Sequence, residues 1–409
     1  MKRITVFLLI IVAILSITIF AAAEKVVTFG NILPLTGTAA PVGIEGRHAR
    51  EMAIEEINAA GGIKSMGGAK IEMIYRDSKG NPQVGVSETE RLITVDKVKI
   101  ITGTFQSGVA YPSTAVAERY GVLFFCPVPS EPRITERGFK YVFRLAEKTS
   151  WRVRDEVRFL VDVANKKGIS VKKAGIVYEN TAYGLGAKAA LDEYLAEANI
   201  SITLDQPFAS GLPDALPIVD SIRRANLDVL FYIGYSNDTI LLINTLAEQK
   251  VNLKAFFGVG NMQEPLVMEN LGSKLEYVID VAPWVPDINR PGAKEINQKY
   301  KDKYGNNMSP EAMKAYVGMY ILKEALEIVG TDNPDDIINV LRNTKFTGWP
   351  YEAYQDSVDF DENGQAQVQL VMLQALNIDG KIEYTTVYPE HVAREGIHYI
   401  FPMVPWEDR

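Results

Sequence analysis

The sequence predicts an α/β protein with two doubly wound parallel-sheet lobes, joined by three hinge crossings, and a ligand cleft between them. Three observations carry this. Short apolar strands alternate with helix-period segments from Val26 to Thr102, the pattern of βαβ units on a parallel sheet. The same alternation starts afresh at Ala174 and runs to Gly258. Polar or Pro-rich breaks near residues 147, 285 and 350 mark places where the chain passes between the two units. Three crossings make a hinge, and a cleft at the C-terminal ends of both sheets is where such folds hold ligands. The expected division is 24–147 with 284–350 for the first lobe and 148–283 with 351–390 for the second. Residues 391–409, aromatic and Pro-rich, have no assignment.

In order, Val26 to Leu33 is a strand ending in the loop Pro34-Leu35-Thr36-Gly37. A helix from about Gly43 carries Met52, Ala53, Ile54 and Ile57 on one face and stops at Gly61-Gly62, because glycine accepts the left-handed conformation that ends helices. Lys70 to Tyr75 is a strand, Gln83 to Val95 a helix, and Lys99 to Thr102 a third strand. A Gly-rich loop, a helix from Val109 to Tyr120, and a strand from Val122 to Cys126 follow. The second unit opens with a helix from about Trp151 to Asn165. It continues with strands at Ala174 to Tyr178, Ile200 to Leu204, Asp228 to Ile233 and Lys254 to Gly258. Helices at Ala187 to Ala198, Leu216 to Ala225 and Thr239 to Gln249 separate them. Beyond the prolines at 283, 286 and 291 come helices at Ala293 to Tyr304, Pro310 to Val329 and Pro334 to Arg342. A hairpin is expected at Val368 to Leu376 with Ile382 to Val387.

The first residues read as an export signal: basic Met1-Lys2-Arg3, an uncharged apolar run from Ile4 to Phe20, and the small triplet Ala21-Ala22-Ala23. That pattern predicts cleavage after residue 23 and a periplasmic or other extracytoplasmic location. Without Lys2 and Arg3, 41 basic residues face 51 acidic ones, a net charge of −10. This argues against a nucleic-acid partner, which calls for a basic face. The single cysteine, Cys126, sits in the apolar run VLFFC and reads as a buried, inert thiol. His48, His391 and His398 do not stand at metal-ligand spacing. The expectation is a monomer without metal or cofactor.

The stretch Ile100 to Arg144 carries the functional signal. Two adjacent strand ends there offer hydroxyls, small residues and a helix start. The first turn of a helix has unpaired N–H groups and the positive end of the dipole, which suits a small anion. Ser107 and Ser130 are therefore expected to grip a carboxylate.

Several stretches together resemble the leucine/isoleucine/valine-binding family of ABC-transporter receptors, of the type I periplasmic-binding fold. They are LPLTGTAAPVGIEGRHAREMAIEEINAAGGI (33–63), YRDSKGNP (75–82), ITGTFQSG with CPVPSEPRITERGFKYVFR in the segment above, YENTAYGLG (178–186), DVLFYIGYSND (228–238) and DFDENGQ (359–365). The resemblance implies that Ser107, Val128 and Ser130 hold the ligand carboxylate from one lobe. From the other, Tyr183 and Tyr235 close over it. The partner it implies is the membrane permease of an ABC importer, which receives the captured ligand. Two positions depart from the pattern. Amino-acid-binding members place a carboxylate against the ligand ammonium where this chain has Gly260, with Glu264 four residues on; and Pro129 removes an N–H donor from the carboxylate loop. A buried ammonium without a counter-charge is strongly disfavoured. Either Glu264 or another acid takes the role, or the ligand is an aromatic or aliphatic carboxylate or an amide with no α-amino group.

Two other classes compete. A sensor ectodomain on the same fold is disfavoured by the lack of an appended signalling or DNA-binding segment. A dinucleotide enzyme is disfavoured because Gly184-Leu185-Gly186 lacks the third glycine of the fingerprint. No catalytic constellation is visible, so the expectation is a binding protein and not an enzyme.

Overall fold

The computed structural model describes residues 25–391 and 393–409; the expected export signal lies outside them. The first lobe is built from β1 (Val26–Leu33), α1 (Ala40–Ala59), β2 (Lys70–Asp77), α2 (Pro82–Thr94), β3 (Ile100–Gly103), α3 (Ser107–Tyr120), β4 (Leu123–Cys126) and β5 (Val142–Arg144). The strands form one parallel sheet in the order β2-β1-β3-β4-β5. Its inner strands IITG and LFFC are buried at every position, as a parallel sheet covered on both faces requires. Helix α2 begins where Asn81 accepts the N–H groups of Gln83 and Val84, with Pro82 at the first position. Cys126 is fully buried, and burial pushes its thiol up to about 12, so it stays protonated and inert.

The second lobe takes α4 (Thr149–Lys167), β6 (Lys173–Glu179), α5 (Ala182–Glu197), β7 (Ser201–Phe208), α6 (Leu216–Ala225), β8 (Val229–Ile233), α7 (Ser236–Glu248), β9 (Ala255–Gly258), α8 (Pro265–Leu271) and β10 (Ile279–Ala282). The chain then returns to the first lobe as α9 (Ala293–Tyr304), α10 (Pro310–Val329), α11 (Pro334–Asn343) and α12 (Tyr351–Tyr354). Helix α10 is buried along most of its length, and Met313, Tyr316, Tyr320 and Leu326 enter the first core with Trp284. The hairpin β11 (Val371–Ile378) and β12 (Lys381–Tyr388) ends the chain's regular structure. It adds two antiparallel strands to the second sheet, whose order is β12-β11-β10-β9-β8-β6-β7. The doubly wound α/β architecture with two lobes is therefore as expected.

The third crossing is not at residue 350. Tyr351, Ala353, Tyr354, Val358, Phe360 and Ala366 all lie in the first core, and Arg144 N donates to Gly364 O at 2.7 Å. The chain passes to the second lobe only at 367–370. Residues 351–366 lack a strand or helix period, so only packing decides which core receives their aromatic rings. Strand β5 (VFR) has three residues and β10 (IDVA) four; both escaped prediction because a charged residue, Arg144 or Asp280, breaks an already short apolar run. The unassigned tail packs on the second lobe, with Phe401 and Met403 buried there. Gln374 holds it, donating from Nε2 to Ile400 O and accepting from Ile400 N, at 2.9 and 2.8 Å.

Candidate functional site

A narrow cavity lies between the lobes, lined by Phe105, Ser107, Val128, Ser130 and Glu311 of the first and Arg152, Tyr183, Tyr235 and Asn261 of the second. Five of the six expected residues, Ser107, Val128, Ser130, Tyr183 and Tyr235, meet here. The lobes touch across it. The Phe105 and Tyr235 rings are 5.7 Å apart, and Tyr235 lies 5.8 Å from Tyr183.

On the first wall, Ser107 is the first residue of α3, and its Oγ accepts the backbone N–H groups of Ser130 and Glu131, each at 3.2 Å. With both lone pairs engaged, its O–H is left to donate. Ser130 Oγ shares a hydrogen bond with the Thr149 hydroxyl at 2.8 Å, and that hydroxyl also stands 2.9 Å from Ser130 O. The loop amides expected to meet a carboxylate thus turn inward to Ser107, and two hydroxyls take over. Val128 packs with Ala39, Val42 and Phe105 into a small apolar rim.

The second wall is organised by Arg152 in the first turn of α4. Its Nε donates to Glu147 Oε1 at 2.6 Å, and Nη2 also reaches Glu147. Nη1 donates to Val259 O and Gly260 O at 3.1 and 3.2 Å. Lys314 Nζ stands 3.4 Å from Glu147 and 3.3 Å from Glu311. Burial works to raise the Glu147 carboxyl, but the Arg152 and Lys314 charges outweigh it and hold it at about 2. Tyr183 donates its hydroxyl to Val259 O at 2.6 Å. Asn261 Nδ2 donates to Gly234 O at 3.0 Å. The loop beneath is pinned by Asp280, which accepts Gly260 N and Met262 N at 2.6 and 2.9 Å and Gln263 Nε2 at 2.6 Å. Burial raises the Asp280 carboxyl to about 7 despite those bonds.

Glu264 stands apart. It is buried at the start of α8, outside the cavity lining, and accepts a hydrogen bond from the Ser236 hydroxyl. Burial lifts its carboxyl well above the ordinary range, and Glu311 and Glu45 add to this. Its Oε1 is buried with no hydrogen-bond partner. Arg152, Glu311 and Asn261 were not foreseen, and neither was Phe105. Arg152 and Glu311 come from helix starts remote from the recognisable loops, and no local pattern distinguishes them from solvated charges.

A model of the periplasmic binding protein family matches residues 26–381. The Leu/Ile/Val-binding protein homolog 8 of Brucella abortus is 30% identical over 389 residues, 93% of this chain and 94% of that relative. Among solved structures, the branched-chain amino acid receptor LivJ of Streptococcus pneumoniae, in complex with isoleucine, superposes with a TM-score of 0.77 at 21% identity, covering 88% of this chain and 98% of that one. A solute-binding protein of an ABC transporter from Rhodopseudomonas palustris, holding 3,4-dihydroxybenzoic acid, gives 0.77 at 20% identity, with 91% and 99% covered. On these grounds the chain belongs to the periplasmic binding protein family.

Proposed function

We propose that this protein is the extracytoplasmic receptor of an ABC importer and captures a small carboxylate between its lobes. The observation that carries this is the Ser107 hydroxyl at the start of α3, with Ser130 beside it in the loop after β4. Ser107 Oγ accepts two backbone N–H groups, so its proton is free for an anion beside a helix N-terminus. Tyr183 and Tyr235 close the opposite side. Isoleucine in one structural neighbour and a dihydroxybenzoate in another both carry a carboxylate, in keeping with an anchor of this kind. Micromolar capture requires about −8 kcal/mol, within reach of two charge-assisted hydrogen bonds and the burial of a small ligand. Closure of the lobes about the crossings would present the loaded form to the permease. A thermal-shift screen of amino acids, aromatic acids and nucleotides tests the reading. Stabilisation by small carboxylates is expected; a response to nucleotides alone would refute it.

A further inference from the structure

Outside the cavity, the lobes also meet where the start of α3 faces the start of α5. Gly108 is the second residue of α3, and a Cβ built on it would lie 3.6 Å from Thr181 Cβ, just before α5. That is ordinary van der Waals contact. Gly186, the fifth residue of α5, is held more tightly under the loop after β4. A Cβ there would collide with Glu131 Oε2 and stand 3.3 Å from Pro132 Cδ. Only glycine lets the two lobes seat this closely.

Glu131 makes the contact costly. Its side chain is 1% exposed. Oε1 accepts from Arg133 Nε and from the Arg133 N–H. Oε2, the atom against Gly186, is buried with no hydrogen-bond partner. Arg144 is the other cation at hand, and its Nη1 donates to the Glu131 backbone carbonyl instead. Helix α5 offers little in return, because the amides of Thr181 and Gly184 at its start already bind Glu179. Closing the lobes therefore strips water from a carboxylate oxygen and gives it no partner, which opposes closure. Parting them moves Gly186 away and readmits water.

We infer, resting on the lobe movement proposed above and not on the identity of the ligand, that this contact sets the balance between open and closed forms. Gly186 leaves the room for full closure, and Glu131 holds the empty protein open. Both are positioning residues, since neither lines the cavity. A ligand that bridges the two walls offsets the opposition of Glu131, so closure follows capture.

Cross-linking of the ligand-free protein tests this. Gly108→Cys with Thr181→Cys puts two Cβ atoms within disulfide range, and joins the lobes only when they are closed. Cys126 is buried and takes no part. The rate of disulfide formation in a glutathione buffer, read by thiol alkylation and mass spectrometry, reports how often the closed form is visited. Adding Glu131→Ala should raise that rate about fivefold or more, the low end for relieving one unsatisfied buried oxygen. A purely structural Glu131 would lower the melting temperature and leave the rate alone. Adding Gly186→Ala should slow the reaction about tenfold, as overpacking of a tight contact does. The melting temperature of that reduced protein should hold or rise, because alanine favours a helix over glycine. A rate that Glu131→Ala leaves unchanged or lowers would overturn the role of Glu131. A rate untouched by Gly186→Ala would overturn the closing contact, and a cysteine pair that joins in no background would overturn the inference as a whole. No ligand is added, so each outcome leaves carboxylate capture to be decided by the thermal-shift screen.

Discussion

The two walls of the cleft are made differently. The first is local: Ser107, Val128 and Ser130 come from the segments after β3 and β4, where the Ser107 hydroxyl ties down the Ser130 and Glu131 amides. The second rests on a charged cluster at the first crossing, in which Arg152 pairs with Glu147 five residues before it and Glu147 lies 3.4 Å from Lys314 of α10 in the first lobe.

The contrast has measurable consequences. Removing both hydroxyls, Ser107→Ala with Ser130→Ala, should weaken binding by about 3–6 kcal/mol, two hydrogen bonds to a charged group, while titration with denaturant finds the fold intact. Unchanged affinity would remove the first wall from the site. On the second wall, Arg152→Met leaves Glu147 buried with only Lys314 at 3.4 Å, so stability should fall by about 3–5 kcal/mol. Urea unfolding measures this, and a wild-type midpoint would show the network to be dispensable.

The pH dependence of stability comes next in size. Asp280 and Glu45 are raised by burial to about 7 and about 8, so the folded chain keeps protons that the unfolded chain has lost. Their contribution is fully present below about pH 4 and is lost as pH rises through 7 to 8. Glu147, held at about 2, acts oppositely: its stabilisation is present above about pH 4.5 and lost as pH falls through 2. Denaturation at a series of pH values should show stability declining from about pH 5 to pH 8 by a few kcal/mol. Asp280→Asn with Glu45→Gln should reduce the slope, with Glu264 and Glu156, also raised by burial, keeping the remainder; an unchanged slope would assign it elsewhere. The smallest effect is expected for Glu264→Gln. An acid outside the lining is nearly isosteric with the amide, so calorimetry should find affinity changed by less than about 1 kcal/mol. Abolished binding would restore Glu264 as a ligand group.

How much was legible follows the same division. Helices α6, α9 and α10 were read to their ends because prolines mark their starts and their apolar period is long. The Ser107 and Ser130 loops were legible because hydroxyls beside a strand end and a helix start have a local chemical meaning. Strands β5 and β10, short runs broken by Arg144 and Asp280, were not. Arg152 reads as one more charge in the polar run TSWRVRDEVRF, and Glu311 as the usual acid in a helix's first turn.

The sequence by itself determined the alternation of strands and helices, the two lobes and the loops that carry Ser107 and Ser130, because each rests on residues close together in the chain. Tertiary structure alone decided that residues 351–366 complete the first core, that Arg152 occupies the room left by Gly260, and that Glu264 is shut away from the cavity. Those outcomes depend on which charges meet across more than a hundred residues, and on burial strong enough to change protonation. Neither quantity exists until the chain has folded.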